Sequence, residues 1–192
     1  NFGITVTNYS ELNIYNNSLV IISILLFYLL PFCIIQKNSF LSYIQNNKSL
    51  ILIFFILFFI IYLIDQLFFT NLINFSPRGG GVFMKIAIFN EIDPSLFLSI
   101  ISFISLIVLD YFFREKRFQN YSLLIILIIS FPIYTIYQKY FDPLFFLFFF
   151  GLIKSSAFKN IFLKDKNFLF PIFIYFSFFY IFALIHYSKG FY

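Results

Sequence analysis

Apolar side chains fill this chain in long unbroken runs, and polar residues gather between the runs. A bilayer core about 30 Å thick takes about 20 mostly apolar residues as a helix. Six runs approach that length: Ser18–Ile35, Leu50–Phe69, Ser95–Phe113, Tyr121–Tyr137, Tyr140–Ile153 and Phe168–Tyr187. Lipid offers no water to unpaired backbone, so spanning segments are helices or closed barrel strands. Barrel strands alternate apolar and polar positions over about ten residues. These runs are apolar on every face, so the pattern predicts an all-α polytopic bundle of about six transmembrane helices.

Local signals refine the runs. Asp93-Pro94-Ser95 suits a helix start, with Asp93 as cap and Pro94 pre-set for the first turn. Pro31 falls near the end of the first run, Pro132 inside the fourth and Pro171 in the first turn of the sixth. The fifth run is short and is joined to the fourth only by Gln138-Lys139. The two form a tight hairpin if both cross; otherwise the fifth is re-entrant. Pro132 and Pro143 flank that junction, and proline bends a helix by removing a backbone bond, so irregular backbone is expected around Tyr137–Pro143. The stretch Val82–Phe89 predicts a short interfacial helix near 82–90.

Composition agrees with this class. The chain has 192 residues, 61% hydrophobic and only 11% charged, with 35 Phe, 14 Tyr and no Trp. A soluble domain carries about 25% charged residues, and a chain this short has too little interior to hide so much apolar surface. Disorder is excluded as well, since it requires low hydrophobicity. Phe, Ile, Asn, Lys and Tyr all have A/T-rich codons, which accounts for part of the Phe excess. Cys33 and His186 are the single cysteine and the single histidine, so neither a disulfide within the chain nor a Cys- or His-rich metal site is expected, and no cofactor is inferred. The chain begins at Asn1 with no signal-peptide pattern. The expectation is one transmembrane domain over 1–192, the C-terminal part of a longer chain.

Charge sets an orientation. With six crossings, the 36–49, 114–120 and 154–167 loops share a side. That side holds nine cations: Lys37, Lys48, Arg114, Lys116, Arg117, Lys154, Lys159, Lys164 and Lys166. The other side holds four: Arg78, Lys85, Lys139 and Lys189. Lys and Arg accumulate in cytoplasmic loops, so the nine face the cytoplasm and both termini face outward. A bacterial inner membrane is the expected location, with the ER membrane as the alternative. The net charge of +5 then reports topology, and no nucleic-acid partner is expected.

The plainer reading of Arg114-Glu115-Lys116-Arg117 is a solvated anchor at a helix end; the alternative is anionic-lipid binding. On the outward side, Ser76-Pro77-Arg78-Gly79-Gly80-Gly81 concentrates three of the chain's six glycines. Glycines let backbone N–H groups approach an anion, and arginine adds a planar fork for phosphate. No Gly-Lys-Ser/Thr follows, so this is not a phosphate-binding P-loop. Ionisable Lys139 and Asp142 stand at the apolar boundary, where charge is costly and often functional. The plainer reading there is an aromatic belt with a snorkelling lysine. The candidate substrate-binding residues are Arg78, Gly79, Gly80, Lys85, Lys139, Tyr140 and Asp142. Asp65 and His186 read as interfacial. No catalytic residue is identified.

Lys139-Tyr140-Phe141-Asp142-Pro143 resembles the basic–Tyr–Phe–x–x–Pro element that precedes a late transmembrane helix in GT-C type membrane glycosyltransferases. The arrangement is similar to the C-terminal half of the dolichyl-phosphate-glucose alpha-1,2-glucosyltransferase family. The shared features are an outward polar stretch with a Phe-rich span ending in proline (Asn16–Pro31), a later outward loop, the aromatic-proline hairpin and a Phe-rich last span. Here Lys139 replaces arginine and Pro143 comes one residue early. That family carries its catalytic acids in its first outward loop, and no matching Asp-Glu pair follows a first span here. The resemblance implies a polyprenyl-phosphate-linked sugar donor and a glycan acceptor, with Arg78 or Lys139 near the donor phosphate. The competing expectation is a non-enzymatic multi-pass component, a transporter subunit or assembly protein, whose partner is membrane lipid alone.

Overall fold

In the computed structural model, which describes residues 14–68, 80–131, 136–164 and 167–188, every regular element among the described residues is a helix. Helix α1 (Ile14–Ile35) stands at the centre. Its Leu19, Ile21, Ile24, Leu25 and Leu29 are almost completely buried, because other helices cover it on all faces. This explains why its sequence shows no polar side. Pro31 sits inside the helix without ending it.

Helix α5 (Pro94–Phe113) packs along α1 with a buried serine face, Ser95, Ser99, Ser102 and Ser105. Ser102 Oγ donates to the Leu19 carbonyl at 2.9 Å, and Ser105 Oγ donates to the Ile22 carbonyl at 2.6 Å. Both partners advance in the same sense, so α1 and α5 run parallel. Small hydroxyl residues let the backbones approach closely; Ser102 and Ser105 find acceptors, whereas the buried Ser95 and Ser99 hydroxyls have no hydrogen-bond partner among the described residues. The start of α5 is as expected: Asp93 Oδ1 accepts from the Ser95 N–H at 3.1 Å, and Pro94 occupies the first turn.

The remaining long segments alternate in direction about this pair. Helix α3 (Lys48–Phe68) begins beside the end of α5, where Asn47 and Arg114 share a cleft, and its Phe55 and Phe58 meet Phe103 further back. It therefore runs antiparallel to α5. Helix α6 (Arg117–Ile129) also returns: Tyr121 reaches Asp110 at one end, and Asn17 Nδ2 donates to the Phe131 carbonyl at 3.4 Å at the other.

The next segment is a 3-10 turn (Gln138–Tyr140), α7 (Phe141–Phe146) and a π-helical turn (Leu147–Leu152). It follows α1, with Phe145 stacked on Tyr28 at 4.7 Å and Phe158, just beyond it, against Phe32 at 5.3 Å. Helix α9 (Leu169–Ser188) comes back, and its Tyr175 hydroxyl donates to the Phe27 carbonyl at 3.0 Å.

Two short helices turn across the Gln36 end of the bundle. Helix α2 (Lys37–Asn46) is bent 80° from α3, and α8 (Ser156–Lys164) is bent 96° from the segment before it. Gln36 Nε2 ties the two regions by donating to the Ala157 carbonyl at 2.8 Å. Both helices fall in stretches expected to be loops. Their mixed polar and apolar sequences are apolar on one helix face only, which a search for uniformly apolar runs does not register.

Two helices among the described residues, α1 over Asn17–Ile35 and α5, are long and apolar enough to cross a membrane, or up to four if each bent pair is one span. The all-helical class is as expected, and the count of six spans is not confirmed by helix length among the described residues. The fourth run stops as a helix at Ile129, ahead of Pro132, whose ring disfavours helical backbone at the residue before it. The fifth is divided among 3-10, α and π turns. The expected short helix near 82–90 is α4 (Gly81–Phe89), which packs on α1 and α5 with Met84 and Ala87 buried.

Candidate functional site

Two polar clusters interrupt the apolar bundle. The first joins the glycine segment to the aromatic-proline segment. Gly80 and Gly81 have φ of +85° and +75°, a region that L side chains rarely adopt. A Cβ on Gly81 would stand 2.8 Å from Ile24 Cγ1, so the start of α4 rests directly on α1. The Gly80 N–H donates to the Ile136 carbonyl at 2.8 Å, and the Val82 N–H donates to Gln138 Oε1 at 3.0 Å. One turn further along α1, the Tyr28 hydroxyl donates to Asp142 Oδ1. Tyr28 lies ten residues into the apolar run from Ser18, about 15 Å at 1.5 Å per residue. The Tyr28 end of this cluster is buried within the bundle, whereas Asp142 is exposed at its surface.

Of the sequence-predicted site residues, Gly80 and Asp142 belong to this cluster. Lys139 is exposed, with Nζ 5.5 Å from the Tyr137 ring centroid. Lys85 is exposed on α4, and Tyr140 closes the 3-10 turn. Arg78 and Gly79 lie outside the described residues.

The second cluster centres on Asp110, which is 1% exposed. Its carboxylate accepts from the Tyr43 hydroxyl, from the Tyr121 hydroxyl at 3.0 Å and from Arg117 Nη2 at 3.0 Å. Neighbouring polar groups extend the network. The Tyr111 hydroxyl donates to Gln36 Oε1 and stands 3.0 Å from Ser39 Oγ. Asn120 Nδ2 donates to the Lys154 carbonyl at 3.0 Å. Burial, then the Asp110 hydrogen bond and charge, hold the Tyr43 phenol above its ordinary range. At Arg117, burial pulls the guanidinium down, but the Asp110 carboxylate and Tyr43 outweigh it and the net direction is up. Both groups keep their protons, so the network is a fixed donor cage around one carboxylate. In front of it opens a cleft of about 340 Å3, lined by Ser39, Ser42, Tyr43, Asn46, Asn47, Arg114 and Arg117.

Sequence reasoning placed Gln138 in the 137–143 hairpin but did not single out Tyr28 in the first cluster, nor Tyr43, Asp110 and Tyr121 as site residues in the second. A signal existed for Asp110, the one charged residue in the apolar run Ser95–Phe113; such a residue requires a partner. Comparison of the chain with protein-family models, curated proteins and solved structures gives no match.

Proposed function

We propose that this chain is the multi-pass region of a membrane-embedded glycosyltransferase that uses a polyprenyl-phosphate-linked sugar on the outward face. Six passes, with both termini outward, agree with the alternating directions of α1, α3, α5, α6, the 138–152 segment and α9. The cations Lys37, Lys48, Arg114, Lys116, Arg117, Lys154 and Lys159 belong to the Gln36 end, which supports a cytoplasmic assignment for that end. A bacterial inner membrane fits this orientation.

The observation that carries the reading is the meeting of Gly80 with Ile136 and of Val82 with Gln138, next to the Tyr28–Asp142 pair. Ordered polar groups within an apolar bundle are expensive and mark substrate paths. A headgroup entering sideways from lipid would meet a carboxylate, an amide and the first backbone turn of α4, groups able to orient a sugar and its phosphate. The test is sugar transfer from a radiolabelled polyprenyl-phosphate sugar by membranes containing the full-length protein. Asp142→Asn and Gln138→Leu should each lower transfer at least tenfold without loss of membrane insertion. Absence of transfer by the parent protein with every donor would favour the non-enzymatic reading.

A further inference from the structure

We infer that the cleft between α2, the end of α5 and the start of α6 binds a phosphate-bearing anion, at the opposite end of the bundle from the proposed donor site. Its volume of about 340 Å3 falls within the range of small-molecule pockets, about 300–1,000 Å3. Its lining supplies hydroxyls from Ser39, Ser42 and Tyr43, amides from Asn46 and Asn47, and the guanidinium groups of Arg114 and Arg117. Carboxylates are absent from that lining.

The charge balance favours an anion. Asp110 neutralises Arg117 from behind, and its oxygens already take three donors from Tyr43, Tyr121 and Arg117. The carboxylate is thus directed inward. Arg117 and Asp110 form an ion pair, with N to O at 3.0 Å. The Arg114 guanidinium instead lies over the Tyr111 ring, 5.0 Å from its centroid, which orients the planar fork without consuming its charge. Arg117 is also held, by Asp110, with its side chain 43% exposed. Two fixed guanidinium groups beside serine hydroxyls form a pre-ordered phosphate cradle, the geometry in which arginine exceeds lysine. Among the sequence neighbours of the lining, Lys48 and Lys116 add positive charge and Glu115 subtracts one, so the surrounding field stays net positive.

The source is either the headgroup of a lipid with a terminal phosphate or a free phosphate from solution. The experiment uses the full chain in phosphatidylcholine nanodiscs. One arm measures equilibrium binding of radiolabelled inorganic phosphate. The other measures retention of a fluorescent phosphatidic acid against a phosphatidylcholine of the same chains. Binding in the first arm assigns a soluble phosphate; binding in the second alone assigns the lipid headgroup. In either case Arg114→Gln should weaken binding at least tenfold, Ser42→Phe should abolish it by filling the cleft, and Lys159→Ala on α8 should leave it unchanged. Ser42 is exposed and outside the Asp110 network, so its variant decides the matter if Arg114→Gln fails to fold. No binding in either arm, or parent-like binding by Ser42→Phe, overturns the site.

Discussion

Arg117 Nη2 stands 3.0 Å from Asp110 Oδ2, linking the first residue of α6 to the last turn of α5. The two are separated by the polar Arg114-Glu115-Lys116 turn, so this pair fixes how α6 leaves α5. Tyr43 from α2 and Tyr121 from α6 close on the same carboxylate. One acid therefore holds three helices at the end of the bundle where α2 and α8 turn sideways.

Asp110→Ala should lower the unfolding free energy by about 2–3 kcal/mol, because it strands the buried Tyr43 phenol, the half-buried Tyr121 phenol and a guanidinium. The lower part of the range for a broken buried pair applies, since Arg117 is partly exposed and solvent relieves it. Asp110→Ala combined with Arg117→Ala should cost less than the sum of the singles. Thermal unfolding in a mild detergent measures both; additive losses would show that the pair does not couple the helices.

The α1–α5 contact makes a separate prediction. Ser102→Ala should cost only about 0.6–1.7 kcal/mol, the scale of one hydrogen bond between helices in a membrane. Ser102→Leu should cost more, about 1–3 kcal/mol beyond that loss, because the fully buried site has no space for a larger side chain. Unfolding by SDS titration orders the two variants. Equal losses would mean that the serine face matters only for its hydrogen bonds.

The glycines of the first cluster can be separated from ordinary helix glycine. Gly81→Ala places a Cβ 2.8 Å from Ile24 Cγ1 at φ +75°. It should destabilise by about 1–3 kcal/mol through left-handed strain and overpacking. Gly151→Ala meets nothing closer than Leu147 Cδ1 at 3.6 Å and should be neutral or slightly stabilising. Melting temperatures of the two variants, measured side by side, check the contrast. A Gly81→Ala protein as stable as its parent would remove the close α4–α1 contact.

These sites explain which features were legible in the sequence. The apolar runs marked α1, α3, α5 and α9 because a helix covered by lipid or by neighbours needs no polar face. Asp93-Pro94-Ser95 marked the start of α5 because capping is local chemistry. The Asp110 cage was not legible: Tyr43 is 67 residues from Asp110, and its phenol arrives through the turn of α2 across the bundle. Tyr28 and Asp142 are likewise 114 residues apart. The glycine and aromatic-proline segments stood out by residue type and were expected to share one polar site; the particular contacts, Gly80 to Ile136 and Val82 to Gln138, come from the fold. The short helices α2 and α8 escaped because their sequences lack the long apolar run on which the span count relied.

Topology gives the final prediction. The proposed orientation puts α2, the 114–120 turn and α8 in the cytoplasm, and the turn between α4 and α5 outside. Single cysteines at Ser42, Gln119 and Ser156, made in a Cys33→Ala background, should resist a membrane-impermeant maleimide added from outside. Each should react once the membrane is opened, since Ser42 and Gln119 are exposed and Ser156 is half-buried. A cysteine at the exposed Asn90 should react from outside at once. The 138–152 segment is the critical element, because its backbone is divided among 3-10, α and π turns. If it enters and leaves by the same face, α8 moves outward and takes Lys154, Lys159, Lys164 and Lys166 with it. Lys189, past the last span, then changes to the opposite side, so the nine-to-four division of cations becomes six to seven and the charge argument for the orientation is lost. Outside labelling at Ser156 with protection at Ser42 would establish that re-entrant path. Protection at both, with labelling at Asn90, would support the crossing and the outward donor site together.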